Sequence, residues 1–449
     1  MAEQKLTVAA ECLLAHGDPS LTAALRRELT IANPKYRDAV KYGRWVGKKL
    51  KPNLTFFKED GAGLHFPRGF ANEAVRLAQG LDLPPLAVLD KRGSKEEVDL
   101  SCQASLRPYQ EEAVAKVLAR QFGVLESGTG SGKTVMALAV IAARRQPTLI
   151  LVHTKELLYQ WQERIKQFMG LEAALVGDGH HDLGPLTVAI VNSARRRLPE
   201  LTPYFGHLVV DECHRVPASL FTEVVTAFDC CFMLGLSATA FRRDGLSRLI
   251  NIYLGDLVHR VDGGDLAASG AVLRPKLIQH PTTFTFRYRD NYQDMLKALT
   301  SDLDRNGQIV ADICQEAKAS AHAILVVSDR VAHCQEIVAQ LTAAGVQAGL
   351  LTGRTSSDER LAVVEQVKGG QLRVLVSTIQ LIGEGFDCPG LATLFLTTPI
   401  KFSGRLLQVV GRILRPAQDK EARVHDYVDQ EVGILARSAE IRRQNLLPA

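Results

Sequence analysis

Two kinds of apolar pattern alternate along most of the chain. Short runs that are apolar at nearly every position fall at Phe122–Leu125, Thr148–His153, Leu186–Val191, His207–Val210 and Phe232–Thr239. Runs of this length and composition predict strands buried on both faces. Between them lie longer stretches with helical spacing: one from Val135 to Ala143, another holding Leu157, Leu158, Trp161 and Ile165. The alternation then starts again, with strands predicted at Ala323–Ser328, Ala348–Gly353, Leu372–Thr378 and Thr393–Thr397. A helix to about Ala344 follows the first of these, and a helix over Leu406–Pro416 follows the last. Repeated strand–helix alternation predicts parallel sheets with helices on both faces, here in two successive α/β blocks.

The first hundred residues read differently. Arg37, Lys41, Arg44 and Lys48 recur at helical spacing and form a predicted basic stripe, with Tyr42 and Trp45 beside it and Pro52 ending the element. Phe56–Phe66 reads as a hairpin about Asp60-Gly61. Residues 82–104, with Pro84 and Pro85, lose periodicity and read as a linker. Leu106-Arg107-Pro108-Tyr109-Gln110 opens an amphipathic helix. The expected organisation is a small basic α+β domain over residues 1–95, a first α/β domain over 96–262 and a second over 263–449.

Composition sharpens this picture at four points. The 449 residues are 46% hydrophobic and 23% charged, ordinary for a soluble globular chain. No apolar run approaches the ~20 residues of a membrane span, and no basic-then-apolar leader opens the sequence. Eight scattered cysteines without a C-x-x-C pair argue against a zinc site or a disulfide framework and fit a reducing cytoplasm. The net charge of +5 is uneven: residues 1–95 carry 16 Lys/Arg against 10 Asp/Glu, the remainder 38 against 39. A basic N-terminal segment on a near-neutral body predicts a polyanionic partner held mainly through that segment.

The candidate chemistry centres on Glu126-Ser127-Gly128-Thr129-Gly130-Ser131-Gly132-Lys133-Thr134, between a predicted strand and a predicted helix. Gly128, Gly130 and Gly132 allow backbone N–H groups to converge on an anion. The helix start adds its dipole, Lys133 a charge on the outer phosphates, and Thr134 a hydroxyl for Mg²⁺. Ser127 stands where the strict G-x-x-x-x-G-K-[ST] pattern has Gly. A second apolar strand delivers Asp211-Glu212-Cys213-His214, placing Asp211 to serve Mg²⁺ and Glu212 to orient an attacking water. Ser237-Ala238-Thr239 ends a third strand. The second block has no phosphate loop but carries Arg412 and Arg415, three apart and so near one helical face, fit to neutralise charge on a transferring phosphoryl group.

Taken in order, these segments resemble a superfamily 2 helicase of the DExH type over residues 106–416. The resemblance implies two tandem RecA-like parallel-sheet domains, ATP and Mg²⁺ as cofactors, and a nucleic-acid strand as partner. Lys133 and Thr134 match the phosphate and Mg²⁺ positions, with Ser131 in the same loop. Asp211 to His214 match the D-E-x-H box, Ser237 to Thr239 the coupling motif, and Gln408 to Arg415 the Q-x-x-G-R-x-x-R motif. Arg107 and Gln110 match the adenine-sensing position, and Thr378, Gly385 and Asp387 the motif linking ATP to the strand. The LRPYQ opening and Phe241–Gly245 are similar to the XPB, UvsW and type III restriction-subunit group, most of whose members act on DNA. The N-terminal domain resembles the substrate-recognition domain of phage UvsW-type branch-migration helicases. The expectation is a monomeric DNA translocase on single-stranded, forked or branched DNA. Its strand contacts are expected at Asn192, Arg195, Arg242, Arg354 and Thr378, and at the N-terminal stripe. An RNA helicase and a slow ATPase switch that moves nothing remain open.

Overall fold

The computed structural model describes residues 4–446 apart from 42, 44, 48–49, 215–217, 239–246, 290, 383–387, 389, 401–402 and 418. The chain divides into two compact units: residues 1–261 without the four-residue turn 128–131, and residues 262–449 with it. No helix among the described residues is long and apolar enough to cross a membrane.

The first unit opens with a five-stranded sheet in the order Lys58–Asp60, Gly63–Pro67, Glu11–Ala15, Lys5–Val8, Ala87–Asp90. Its strands follow a period of two: Leu6 and Val8, Cys12 and Leu14, and Leu64 and Phe66 point inward. The predicted hairpin is present, with Asp60 paired to Gly63. Helix Pro19–Glu28 covers the sheet, started by Asp18, whose side chain accepts from Ser20 N.

Two readings of this region change. The segment read as a linker contains the strand Ala87–Asp90, which pairs in parallel with Lys5–Val8. Gly93 then bridges Cys230, so the stretch is a strap on the first α/β body. Four half-exposed residues beside two prolines carry too little pattern to reveal it. The basic stripe is not one helix: Pro34–Lys41 is helical, but Trp45–Gly47 are not, after Gly43 at φ 60°. Where strand Thr30–Ala32 pairs with strand Asn53–Thr55, Asn33 ties the two together: its N–H donates to Pro52 O and its amide to Lys51 O, both at 2.8 Å.

The same unit continues as an eight-stranded sheet ordered His180–His181, Ala174–Gly177, Leu186–Ile190, Thr148–Val152, His207–Val210, Phe232–Ser237, Phe122–Ser127, Leu257–Val261. All its pairings are parallel except the one made by His180–His181. Helix Lys155–Met169, capped by Thr154 and ended by Gly170 at φ 68°, buries Leu157, Leu158, Trp161 and Ile165, as its spacing predicts. The chain leaves strand Phe122–Ser127 and re-enters the sheet at Thr148–Val152, skipping two positions filled later. This opens a crevice at the strand C-termini.

The small sheet is locked to this body by Arg68, 2% exposed, whose guanidinium donates to Cys230 O at 2.7 Å. Arg76 grips both oxygens of Asp256 at 2.9 Å, and Arg248 pairs with Glu28.

The second unit has a six-stranded, all-parallel sheet in the order Lys276–Pro281, Arg423–Val428, Leu391–Leu396, Ala323–Ser328, Val374–Thr378, Ala348–Leu351. Its final motif helix is shorter than predicted. Ser403–Val410 is helical and residues 411–413 turn, so Arg412 and Arg415 sit beyond the helix rather than on one face of it. Gly411 and Pro416 make continuation unfavourable.

Gly69 gives a test of the locked contact. A Cβ there would meet the backbone of Tyr253, Leu254 and Gly255 at 2.5 to 2.7 Å. Gly69→Ala should destabilise the protein by about 1–3 kcal/mol in denaturant unfolding. Wild-type stability would show that the two sheets are not held at this contact.

Candidate active site

Three strand C-termini of the eight-stranded sheet bring the candidate residues together. Strand Phe122–Ser127 feeds the glycine loop, and helix Lys133–Arg144 follows from Gly132 at φ 82°, with Gly130 at φ 87°. These are left-handed conformations that side chains resist, which is why glycine stands there. The helix start has no side-chain cap, leaving its first amides to the loop side. Lys133 folds over this turn. Its Nζ donates to Ser127 O at 3.0 Å and lies 4.0 Å from Glu212 Oε1.

The acidic pair sits just past strand His207–Val210. Asp211 is buried. Its Oδ2 accepts from Trp161 Nε1 at 2.8 Å, and its Oδ1 from Glu212 N at 2.8 Å. Burial pushes its carboxyl up to about 6, and the Glu212 charge adds to this; the Trp161 donor and Lys133 pull the other way. Glu212 itself holds φ at 46°, a strained left-handed backbone for a residue with a Cβ. Cys213 N donates to Leu236 O at 3.0 Å and fixes this turn against the next strand. His214 Nδ1 then lies 2.9 Å from Ser237 Oγ and 3.3 Å from Glu212 Oε2, so one imidazole joins the acidic box to the Ser-Ala-Thr strand end.

Gln110 reaches the same edge from helix Pro108–Leu118. Its Oε1 accepts from Arg107 N at 2.9 Å, while a Cβ on Gly132 would fall 2.5 Å from its Nε2. The side chain thus braces the glycine turn, and Arg107 is exposed. Trp161 was legible only as a core residue. Its indole N–H belongs to the site, and nothing in local spacing connects it to Asp211, 50 positions away.

The residues present fit a nucleotide phosphate. The uncapped helix start, two left-handed glycines and one ammonium converge, and Ser127 Oγ is buried with no hydrogen-bond partner among the described residues. They also fit a hard cation that keeps most of its shell on phosphates. Asp211 offers a carboxylate and the half-buried Thr134 a hydroxyl, while no cluster of three His, Cys, Asp or Glu that could hold a metal occurs among the described residues.

Elsewhere in the first unit, Asn192 and Arg195 share an exposed face of helix Val191–Arg196, and Arg195 pairs with Glu223 at 2.7 Å. Arg37 and Lys41 are exposed, and Trp45 is 90% exposed. Ala238 is buried beside Ser237. In the second unit, Gln408 is buried in helix Ser403–Val410, and Arg412 Nε donates to Ile382 O at 3.2 Å. Arg354 is exposed in a turn where its N–H donates to Thr352 Oγ1, whereas Thr378 is buried at a strand end. Arg44, Lys48, Thr239, Arg242, Gly385 and Asp387 lie outside the described residues.

A phosphate loop, a carboxylate pair two strands away in the same sheet and a second parallel-sheet unit define a tandem RecA-like ATPase. The model of the type III restriction enzyme res subunit matches residues 103–242, and that of the helicase conserved C-terminal domain matches 308–417. The DNA 3'-5' translocase XPB2 of Sulfurisphaera tokodaii is 27% identical over 353 residues, 71% of this chain and 80% of the relative. The probable helicase D10 of Escherichia phage T5 is 25% identical over 301 residues, 66% of this chain but only 65% of its own length. Among solved structures, a fragment of a putative HsdR subunit of a type I restriction enzyme from Vibrio vulnificus YJ016 shares the fold, with a TM-score of 0.59 and 17% identity. That match covers 75% of this chain and 66% of that one. By these matches the chain is a helicase-type ATP hydrolase, similar to superfamily 2 helicases of the XPB and type III restriction-subunit kind.

Trp161→Phe tests the geometry around Asp211. Losing a hydrogen bond to an ionised group costs about 1.5–3 kcal/mol, so ATP turnover should fall about tenfold or more while the fold is retained. Wild-type turnover would show that Asp211 needs no donor from the indole.

Proposed function

We propose that this protein is an ATP-driven DNA translocase that unwinds or branch-migrates forked or junction DNA. The observation that carries the reading is the assembly of Lys133, Asp211 and Glu212 at one strand edge in a chain of this family. Several relatives are named as DNA translocases or helicases, which favours DNA over RNA.

In this reading Lys133 and the glycine-loop amides hold the outer phosphates of ATP, and Gln110 with Arg107 borders the adenine. Asp211 and Thr134 would hold Mg²⁺, which would supply Lewis-acid neutralisation of phosphate charge. Glu212 orients the attacking water and draws its proton. Arg412 and Arg415, with Gln408 on the helix that precedes them, meet the charge that develops on the γ-phosphoryl group. His214 relays the state of Glu212 to Ser237 and so to the strand-binding face, where Asn192, Arg195, Arg354 and the segments around Arg242, Thr378, Gly385 and Asp387 are assigned. The domains run 1–95, 96–262 and 263–449, the first holding branched DNA through Arg37, Lys41, Arg44, Lys48 and Trp45. The enzyme acts as a monomer in the cytoplasm.

Three measurements test this. ATP turnover should rise on adding forked or junction DNA and much less with matched RNA; equal stimulation by RNA would overturn the DNA assignment. Glu212→Gln should bind ATP yet lose turnover by orders of magnitude, and near-normal turnover would remove Glu212 from the water-orienting role. Binding to junction DNA should weaken steeply with salt. When Arg37 and Lys41 become Ala, the log–log slope should flatten by about 0.9 for each phosphate left unneutralised, and an unchanged slope would take these two side chains off the DNA.

A further inference from the structure

Lys420 is a buried ammonium, 8% exposed, on the loop that follows helix Ser403–Val410. Its Nζ donates to Arg415 O at 2.7 Å. The two ends of this loop are pinned: Leu273 N donates to Leu414 O at 2.7 Å, and Lys276 N to Ala422 O at 2.8 Å. Within it, Lys420 N donates to Ala417 O at 3.3 Å, and Asp419 takes a left-handed φ of 53°. The loop thus folds back so that one cation is carried inward to the main chain of one arginine.

A buried ammonium is an expensive way to fasten a loop, because desolvation disfavours its charge. Burial, then the like charge of Arg415, pull Lys420 down to about 8, while the Cys388 thiol acts weakly in the opposite sense. The charge contributes two things an apolar side chain would not. It makes a charge-assisted hydrogen bond to the Arg415 carbonyl, about twice as strong as a neutral one. As a like charge, it also disfavours the guanidinium folding back onto the loop.

We propose that Lys420 is a positioning residue that sets Arg415 for its part in ATP hydrolysis. The inference rests on the role proposed above for Arg415. Lys420 acts through the main chain of that arginine, by its hydrogen bond to Arg415 O. The ammonium is complete well below its pKa, so the positioning is full near neutral pH and fades as pH rises through about 8.

The test is kcat and KM for ATP at saturating DNA, from about pH 6 to about pH 10, for the wild type, Lys420→Met, Lys420→Arg and Arg415→Ala. Wild-type kcat should fall across about pH 8 with little change in KM. Lys420→Met should have kcat lowered about 10- to 100-fold with KM kept and without that alkaline limb. Lys420→Arg, charged throughout the range, should hold its turnover to higher pH than the wild type. Lys420→Met with wild-type kcat, beside a deficient Arg415→Ala, overturns the inference alone. Arg415→Ala with wild-type kcat overturns the reading beneath it. Where Lys420→Met fails to fold by circular dichroism, the arginine variant decides: an unchanged limb at about pH 8 contradicts the proposal.

Discussion

Two adjacent carboxylates at the end of a buried strand are the constraint on which the first α/β body depends. Asp211 and Glu212 stand next to each other where burial penalises charge, so each must be given partners. The fold supplies them from four directions: the Trp161 indole, the Glu212 amide, the Lys133 ammonium and the His214 imidazole. Trp161 comes from helix Lys155–Met169, Lys133 from the start of helix Lys133–Arg144, and the Glu212 amide and His214 from the turn after strand His207–Val210; the parallel order of the strands brings them to one edge. The positive φ of Glu212 is part of the same arrangement. A strained backbone of this kind costs about 1–3 kcal/mol and persists where surrounding contacts over-determine it.

Around that edge the sequence was informative because its physics is local. Strands buried on both faces must be apolar throughout, so Thr148–Val152, His207–Val210 and Ala323–Ser328 could be read directly. The glycine loop announces itself by the residues a left-handed turn permits. The edge strands gave no such signal. Ala87–Asp90, Leu257–Val261 and Lys276–Pro281 are partly exposed and short, and pair on one side only. Arg423–Val428 is interior but polar, because Arg423 meets Glu316 and Asp426 meets Arg442. A strand that carries buried ion pairs looks like a loop in sequence.

The second unit shows the same limit around its last motif. Arg412 and Arg415 were recognisable, but helical spacing assigned them to one face of a helix that stops at Val410. Their placement comes instead from tertiary hydrogen bonds, Arg412 to Ile382 O and Lys420 to Arg415 O. The basic N-terminal stripe failed for a related reason. Charge spacing alone does not hold a helix together past Gly43, and the two strands that flank the segment are tied by Asn33. Composition located the basic segment; its shape needed contacts that composition does not encode.

The central claim is that the compensated acidic pair and the glycine loop form one ATP site. A crystal structure with a non-hydrolysable ATP analogue and Mg²⁺ tests it most directly. The γ-phosphate should lie within hydrogen-bond reach of Lys133, the cation between Asp211, Thr134 and the phosphates, and an ordered water on Glu212. A nucleotide seated elsewhere, or bound in the loop with no cation near Asp211, would contradict it.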